Sequence, residues 1–233
     1  MPEMSASGGV VVQMPLFSVP PRSAALHDVH AISIPARAFT GDFYFLHRAG
    51  ERLWFALGDV AGKGLPAAVV MAMIQEELEQ RIVSCARTAC DPSVTMTRLH
   101  AFIKPLMAAN KFATVIIGNL HDDGTVMIAN AGHCPPMIAR ADGAIEEIAS
   151  TGPVIGILPS SSWTTFETTL QRGESLVLYS DGVIEAQDFG VRRLAAALQG
   201  RDSKEIAENI ERNVDHHTGG IREDDLTILV IKR

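Results

Sequence analysis

The stretch from Leu53 to Ala68, LWFALGDVAGKGLPAA, constrains the fold most tightly. Its first half is a short apolar run, Leu53 to Leu57 with Gly58, of the length and aromatic content of a buried strand. Asp59 places a charge at the end of that strand. Gly58, Gly62 and Gly64 then turn the backbone tightly, and Pro66 suits the first turn of a helix. The good helix formers that follow predict a helix from about Leu65 to about Ser84. A carboxylate between a buried strand and a helix start is costly unless a cation meets it.

Two nucleotide-binding patterns fit this stretch poorly. A phosphate-binding P-loop needs four residues between its first Gly and Gly-Lys-Ser/Thr. Here three residues separate Gly58 from Gly62-Lys63, and Gly64 replaces the hydroxyl residue. Gly62 to Ala67 matches the dinucleotide pattern G-x-G-x-x-A, but that motif needs a second parallel strand with an acid about 20 residues on. A second helix is expected there instead.

The other segments read as a run of hairpins. Strands are expected over His27–Ile34, Thr40–His47 and Arg52–Val60, the last two forming a hairpin that brings Asp42 and Asp59 to neighbouring parts of one sheet. Asp91-Pro92 caps a second helix reaching about Ala108. Further strands are expected over Lys111–Leu120, Thr125–Ala131, Pro136–Arg140, Ile145–Ile148, Trp163–Leu170, Ser175–Ser180 and Leu226–Ile231. Short helices are expected over Val191–Leu198 and Ser203–Asn213. The pattern is α+β, with antiparallel sheets covered by helices. Residues 1–9 are expected to be disordered, Val10–Phe17 to be a short strand or packing arm, and 10–233 to form a single domain. At 233 residues no separate sensor domain is expected within the chain, which is either a stand-alone protein or an excised domain.

Bulk properties narrow the function. The net charge of −7 disfavours a nucleic-acid partner. No apolar run approaches the roughly 18 residues that span a membrane. Cys85, Cys90 and Cys134 lack CxxC spacing and are expected as reduced thiols in a cytoplasmic protein.

Four places share one grammar, an acid at the edge of an apolar strand: Asp42, Asp59, Asp181 and the pair Asp224-Asp225. Acids converging at one sheet edge repel one another unless divalent cations bind. All-oxygen ligands select Mg²⁺ or Mn²⁺ over Zn²⁺. Several carboxylates suit two ions about 3.5–4 Å apart, bridged by one acid, which is a centre for activating water and neutralising a phosphoryl group.

These acids lie within longer matching pieces: Pro35-Ala36, Gly41-Asp42-Phe43-Tyr44, Gly58 to Gly64, Phe112-Ala113-Thr114, Asn130-Ala131-Gly132-His133, Gly156, Tyr179 to Gly182 and Asp224 to Thr227. In that order the chain resembles the SpoIIE-type protein serine/threonine phosphatases, the bacterial branch of the metal-dependent type 2C (PPM) family. The resemblance implies an antiparallel β-sandwich flanked by helices, with two Mn²⁺ or Mg²⁺ ions at one edge. It implies Asp59 as bridging ligand and the Val60 carbonyl as a further ligand. Asp42 would serve one ion, Asp181 and Asp224 the other, and Asp225 would be an extra or outer ligand. Asp59, Asp181 and Lys63 are the expected catalytic residues, although Lys63 reads equally well as a solvated loop cation. The implied substrate is a phosphorylated STAS-domain anti-sigma-factor antagonist in a partner-switching pathway. The alternative is a pseudophosphatase that binds such a partner without chemistry.

Two departures stand out. The family has Gly-Gly-Asp and, after two intervening residues, another Asp; here Thr40 replaces the first Gly and Phe45 the last Asp. The ligand set proper survives, so activity is expected; loss of that acid would weaken metal binding, unless Phe45 alternates onto a buried face and is core. His133 reads as a structural histidine more readily than as a proton donor, His216-His217 as exposed, and Met71, Met73 and Ile74 as core.

Overall fold

Alternation along the apolar strands decides the architecture. In β3 (Arg52–Val60), Leu53, Phe55 and Leu57 face one way, while Trp54, Ala56 and Val60 face the other, and all six are buried. A strand buried on both faces must sit between two apolar layers. The computed structural model describes residues 27–62, 64–85, 90–107 and 111–233 and places β3 in that position. Lys63, the side chain of Cys85, and the expectations for 1–9 and Val10–Phe17 lie outside the described residues.

Two five-stranded sheets face each other. The first has the order β1 (Asp28–Ile34), β10 (Leu226–Lys232), β9 (Ser175–Tyr179), β6 (Met137–Ala139), β7 (Ile145–Glu147). The second has the order β2 (Asp42–Ala49), β3, β4 (Ala113–His121), β5 (Thr125–Ala131), β8 (Phe166–Thr169). Every pairing within them is antiparallel. A dinucleotide-binding unit needs parallel neighbours, so that reading fails.

Three apolar layers follow. Leu53, Phe55, Leu57, Ile116, Leu178 and Leu229 fill the space between the sheets. Trp54, Ala56, Val115 and Ile117 pack under α1 (Leu65–Cys85) and α2 (Pro92–Ile103), meeting Ile74, Leu78 and Leu99. Val177, Tyr179, Ile228 and Val230 pack under α4 (Gly190–Ala197) and α5 (Ser203–Thr218), meeting Leu194, Ile206 and Ile210. The result is a helix–sheet–sheet–helix sandwich.

Several boundaries differ from expectation for local reasons. α2 stops at Ile103 and continues as a single 3-10 turn over Lys104–Leu106, because Pro105 cannot donate to an α-helical ladder. β8 is shorter than Trp163–Leu170 because Trp163 turns inward, its indole Nε1 donating to the Pro153 carbonyl at 2.8 Å. α5 runs past Asn213 to Thr218 and ends at left-handed Gly219 (φ 63°). The four-residue helix α3 (Asp181–Ile184) was not foreseen. Cys134 is a free thiol, but Cys90 is disulfide-bonded, which corrects the expectation of three reduced cysteines.

Candidate metal centre

Antiparallel order brings the starts of β2 and β10 and the ends of β3 and β9 to one pole of the sandwich. Asp42 lies at the start of β2 and Asp59 near the end of β3. The hairpin register pairs them directly. Since Leu53, Phe55 and Leu57 point between the sheets, alternation sends Asp59 to the same side, and cross-strand pairing sends Asp42 there too. The opposite sheet delivers Asp181 just beyond β9 and Asp224-Asp225 just before β10.

Electrostatics registers the convergence. Burial, then the charges of Asp181, Asp224 and Asp225, push the Asp59 carboxyl from 3.8 to about 6. Asp42 is only 5% exposed, and burial raises it well above the usual carboxylate range against the pull of a Thr227 hydrogen bond. Asp181 is raised by burial, then by Glu185 and Asp224. Asp59, Asp224 and Asp225 line a cleft of about 160 Å³ together with Arg37, Phe39 and Gly41.

A clasp of hydrogen bonds holds the two sheets together at this pole. Thr227 Oγ1 donates to Asp42 Oδ2 at 2.7 Å. The Thr227 amide donates to Ser180 Oγ at 2.9 Å, and Ser180 Oγ lies 3.2 Å from the Asp225 carbonyl, to which it donates. Asp225 Oδ1 accepts the Ala36 amide at 2.8 Å, tying the loop after β1 to the site. Asp225 therefore spends one oxygen on positioning that loop, in keeping with an outer role. Thr227, Ser180 and Ala36 stood inside recognised motifs, but their roles come from contacts between residues distant in sequence.

The residues fit oxygen-ligated divalent ions. A Cβ on Gly41 would lie 2.8 Å from Asp59 Oδ1 and 2.8 Å from the Val60 carbonyl oxygen. The absent side chain thus leaves open the space beside two oxygens of the expected ligand set. Gly182 serves close packing: a Cβ there would stand 2.0 Å from the Asp225 carbonyl oxygen, so only glycine lets the Asp181 turn meet the Asp224-Asp225 segment. Among the described residues no three Asp, Glu, His or Cys side chains are already drawn into one coordination shell.

The two departures resolve differently. Thr40 Oγ1 accepts the Asp42 amide at 2.9 Å, a bond that glycine could not supply. Phe45 lies on the opposite face of β2 from Asp42, 8% exposed among the core residues under α1 and α2. Of the two readings of Phe45, a lost outer acid and a core residue, the structure supports the core: alternation turns this position away from the cleft.

The remaining histidines are structural or peripheral. His133 Nδ1 lies 2.7 Å from Thr114 Oγ1, its amide donates to Asn130 Oδ1 at 2.8 Å, and burial lowers its pKa to about 4. His216 is exposed, and His217 Nε2 sits 2.9 Å from the Gln187 carbonyl. Ile74 is fully buried, with Met71 and Met73 packed against the same core. Sequence reading overlooked Arg37, a basic residue that lines the acid cleft. Its place beside Pro35-Ala36 gave no chemical signal.

Known proteins share this architecture. The Bacillus subtilis (strain 168) phosphoserine phosphatase RsbU is 29% identical over 222 residues, covering 91% of this chain and 65% of RsbU. The chain thus spans just under two thirds of that relative. The PP2C phosphatase domain of SpoIIE from Bacillus subtilis, solved with a fragment of its regulatory domain, superposes with a TM-score of 0.78 at 20% identity, over 88% of this chain and 62% of that one. RsbX in complex with magnesium superposes with a TM-score of 0.70 at 18% identity, over 88% and 94%. The fold is that of PP2C-type phosphatase domains. The family model of stage II sporulation protein E (SpoIIE) matches residues 49–233, well over half of the sequence, and the chain belongs to that family.

Proposed function

We propose that the chain is a divalent-metal-dependent protein serine/threonine phosphatase. The observation that carries the reading is the cleft lined by Asp59, Asp224 and Asp225, where burial and then the charges of Asp181, Asp224 and Asp225 raise the Asp59 carboxyl, which the strand register pairs with Asp42. Asp59, the Val60 carbonyl, Asp42, Asp181 and Asp224 would hold the ions, with Asp225 as an extra or outer ligand. When bound, Mn²⁺ or Mg²⁺ supplies water activation and neutralises phosphoryl charge. Thr227 fixes the Asp42 carboxylate, and Asp225 anchors the loop that carries Arg37. Arg37 offers a guanidinium to the substrate phosphate, the geometry suited to bidentate contact. Lys63 is a second candidate for that contact and lies outside the described residues.

The proposed substrate is a phosphorylated STAS-domain protein of a partner-switching pathway, a reading supported by the likeness to RsbU. The proposed place of action is the cytoplasm. Among the described residues no helix is long and apolar enough to cross a membrane. The alternative reading is a pseudophosphatase that binds such a partner without chemistry. Incubation of phosphorylated STAS proteins with the chain, after EDTA treatment and after Mn²⁺ or Mg²⁺ is restored, separates the two. Metal-restored phosphate release is expected. Calorimetric Mn²⁺ binding without phosphate release from any substrate would favour the pseudophosphatase, and activity surviving chelation would overturn the metal assignment.

A further inference from the structure

We propose that Phe39 is a substrate-specificity residue, whose ring on the lip of the acid cleft meets an apolar side chain beside the phosphorylated serine or threonine of the partner protein. The inference rests on the phosphatase reading above and names which phosphoproteins the site prefers.

Phe39 is 50% exposed, whereas Phe43, Phe45, Phe55 and Phe189 are each no more than 8% exposed. It lines the same cleft as Asp59, Asp224 and Asp225. An exposed aromatic ring on a surface otherwise chosen for acids retains apolar area that a partner can cover.

The segment that carries the ring is also held in place. At one end of its loop, the Ala36 amide donates to Asp225 Oδ1 at 2.8 Å. At the other, the Asp42 amide donates to Thr40 Oγ1 at 2.9 Å, and the Val60 amide donates to the Gly41 carbonyl at 3.2 Å. The segment carrying Phe39 is thus pinned on both sides to the acids or the strand that bear the proposed chemistry. A pre-ordered lip loses little conformational freedom when a substrate covers it. The phosphoryl group enters among charged groups while the neighbouring residue lies over the ring, so the site selects an apolar neighbour.

The test uses two phosphoserine peptides, identical except that the residues flanking phosphoserine are leucine in one and glycine in the other. Steady-state hydrolysis in Mn²⁺ is measured for the wild type, Phe39→Ala and Phe39→Leu. The wild type should show the lower KM for the leucine peptide. Phe39→Ala should raise KM for that peptide about tenfold more than for the glycine peptide, the scale of one apolar side-chain contact. Phe39→Leu should recover most of the difference, with kcat for the two peptides changing in parallel. Equal KM changes on both peptides, or a change confined to kcat, would overturn the proposal while leaving the phosphatase reading intact. A folded wild type that hydrolyses neither peptide would remove the phosphatase reading and this inference with it.

Discussion

Asp59→Asn separates the electrostatics of the site from its chemistry. In the metal-free protein the Asp59 carboxyl is raised from 3.8 to about 6 by burial and then by Asp181, Asp224 and Asp225. A group raised in the folded state binds its proton more tightly there than in the unfolded chain. Its stabilising contribution is complete below about pH 4 and is lost as pH rises through about 6. At about 1.4 kcal/mol per pH unit, the ionised acid costs the fold about 3 kcal/mol at neutral pH. Asparagine keeps the shape and removes that cost. Urea unfolding in EDTA should therefore find Asp59→Asn more stable than the wild type by up to about 3 kcal/mol at pH 8, with the gain vanishing near pH 4. Hydrolysis should fall at least about a hundredfold, the scale of one lost electrostatic stabiliser. Added Mn²⁺ should raise the stability of the wild type more than that of the variant. A variant less stable than the wild type at pH 8, or a gain equal at both pH values, would refute the convergence of charges on Asp59. Near-normal turnover would refute its proposed role as a metal ligand.

Phe45→Asp should lower the thermal midpoint by about 6–12 °C, because it places a carboxylate in the core under α1 and α2 at a cost of about 3 kcal/mol or more. Its Mn²⁺ titration should be unchanged, and a tighter titration at a constant midpoint would contradict the orientation of β2. Thr227→Val removes the hydroxyl donor to Asp42 and should cost about 1.5–3 kcal/mol by denaturant unfolding, with Thr227→Ser recovering most of it. In a double-mutant cycle with Asp42→Ala that loss should largely disappear; an undiminished loss would show that Thr227 acts elsewhere. His133 is buried with its pKa lowered to about 4, so its contribution is complete above about pH 6.5 and is lost as pH falls toward 4. His133→Gln should flatten stability against pH across that window, and an unaltered slope would place the titration on another group.

Much of the sandwich was legible in the chain because local rules and tertiary packing agree along it. The alternation of Leu53 to Val60 set β3 to the residue, and β5 was placed equally well. Strong turn chemistry at His121 to Gly124 and the Asp91-Pro92 cap fixed neighbouring elements. Acids at the ends of apolar strands marked the candidate site, since several charges at one sheet edge repel one another unless a cation meets them. Local rules failed where a distant partner outweighed them, as when the Pro153 carbonyl drew Trp163 out of its expected strand.

Only the tertiary structure could decide which acids meet, because their distance depends on how two sheets stack. Asp42 and Asp59 are brought together by hairpin register, but Asp42 and Thr227 are 185 positions apart and bond across the sandwich. The same dependence hid the bond between Asp225 and Ala36 and the exposure of Phe39 at the cleft. It also decided between the two readings of Phe45, whose side chain belongs to the core. Residue type and spacing carry the chemistry that a chain can offer. The direction in which each side chain points is a property of strand parity and sheet packing, and so appears only once the chain is folded.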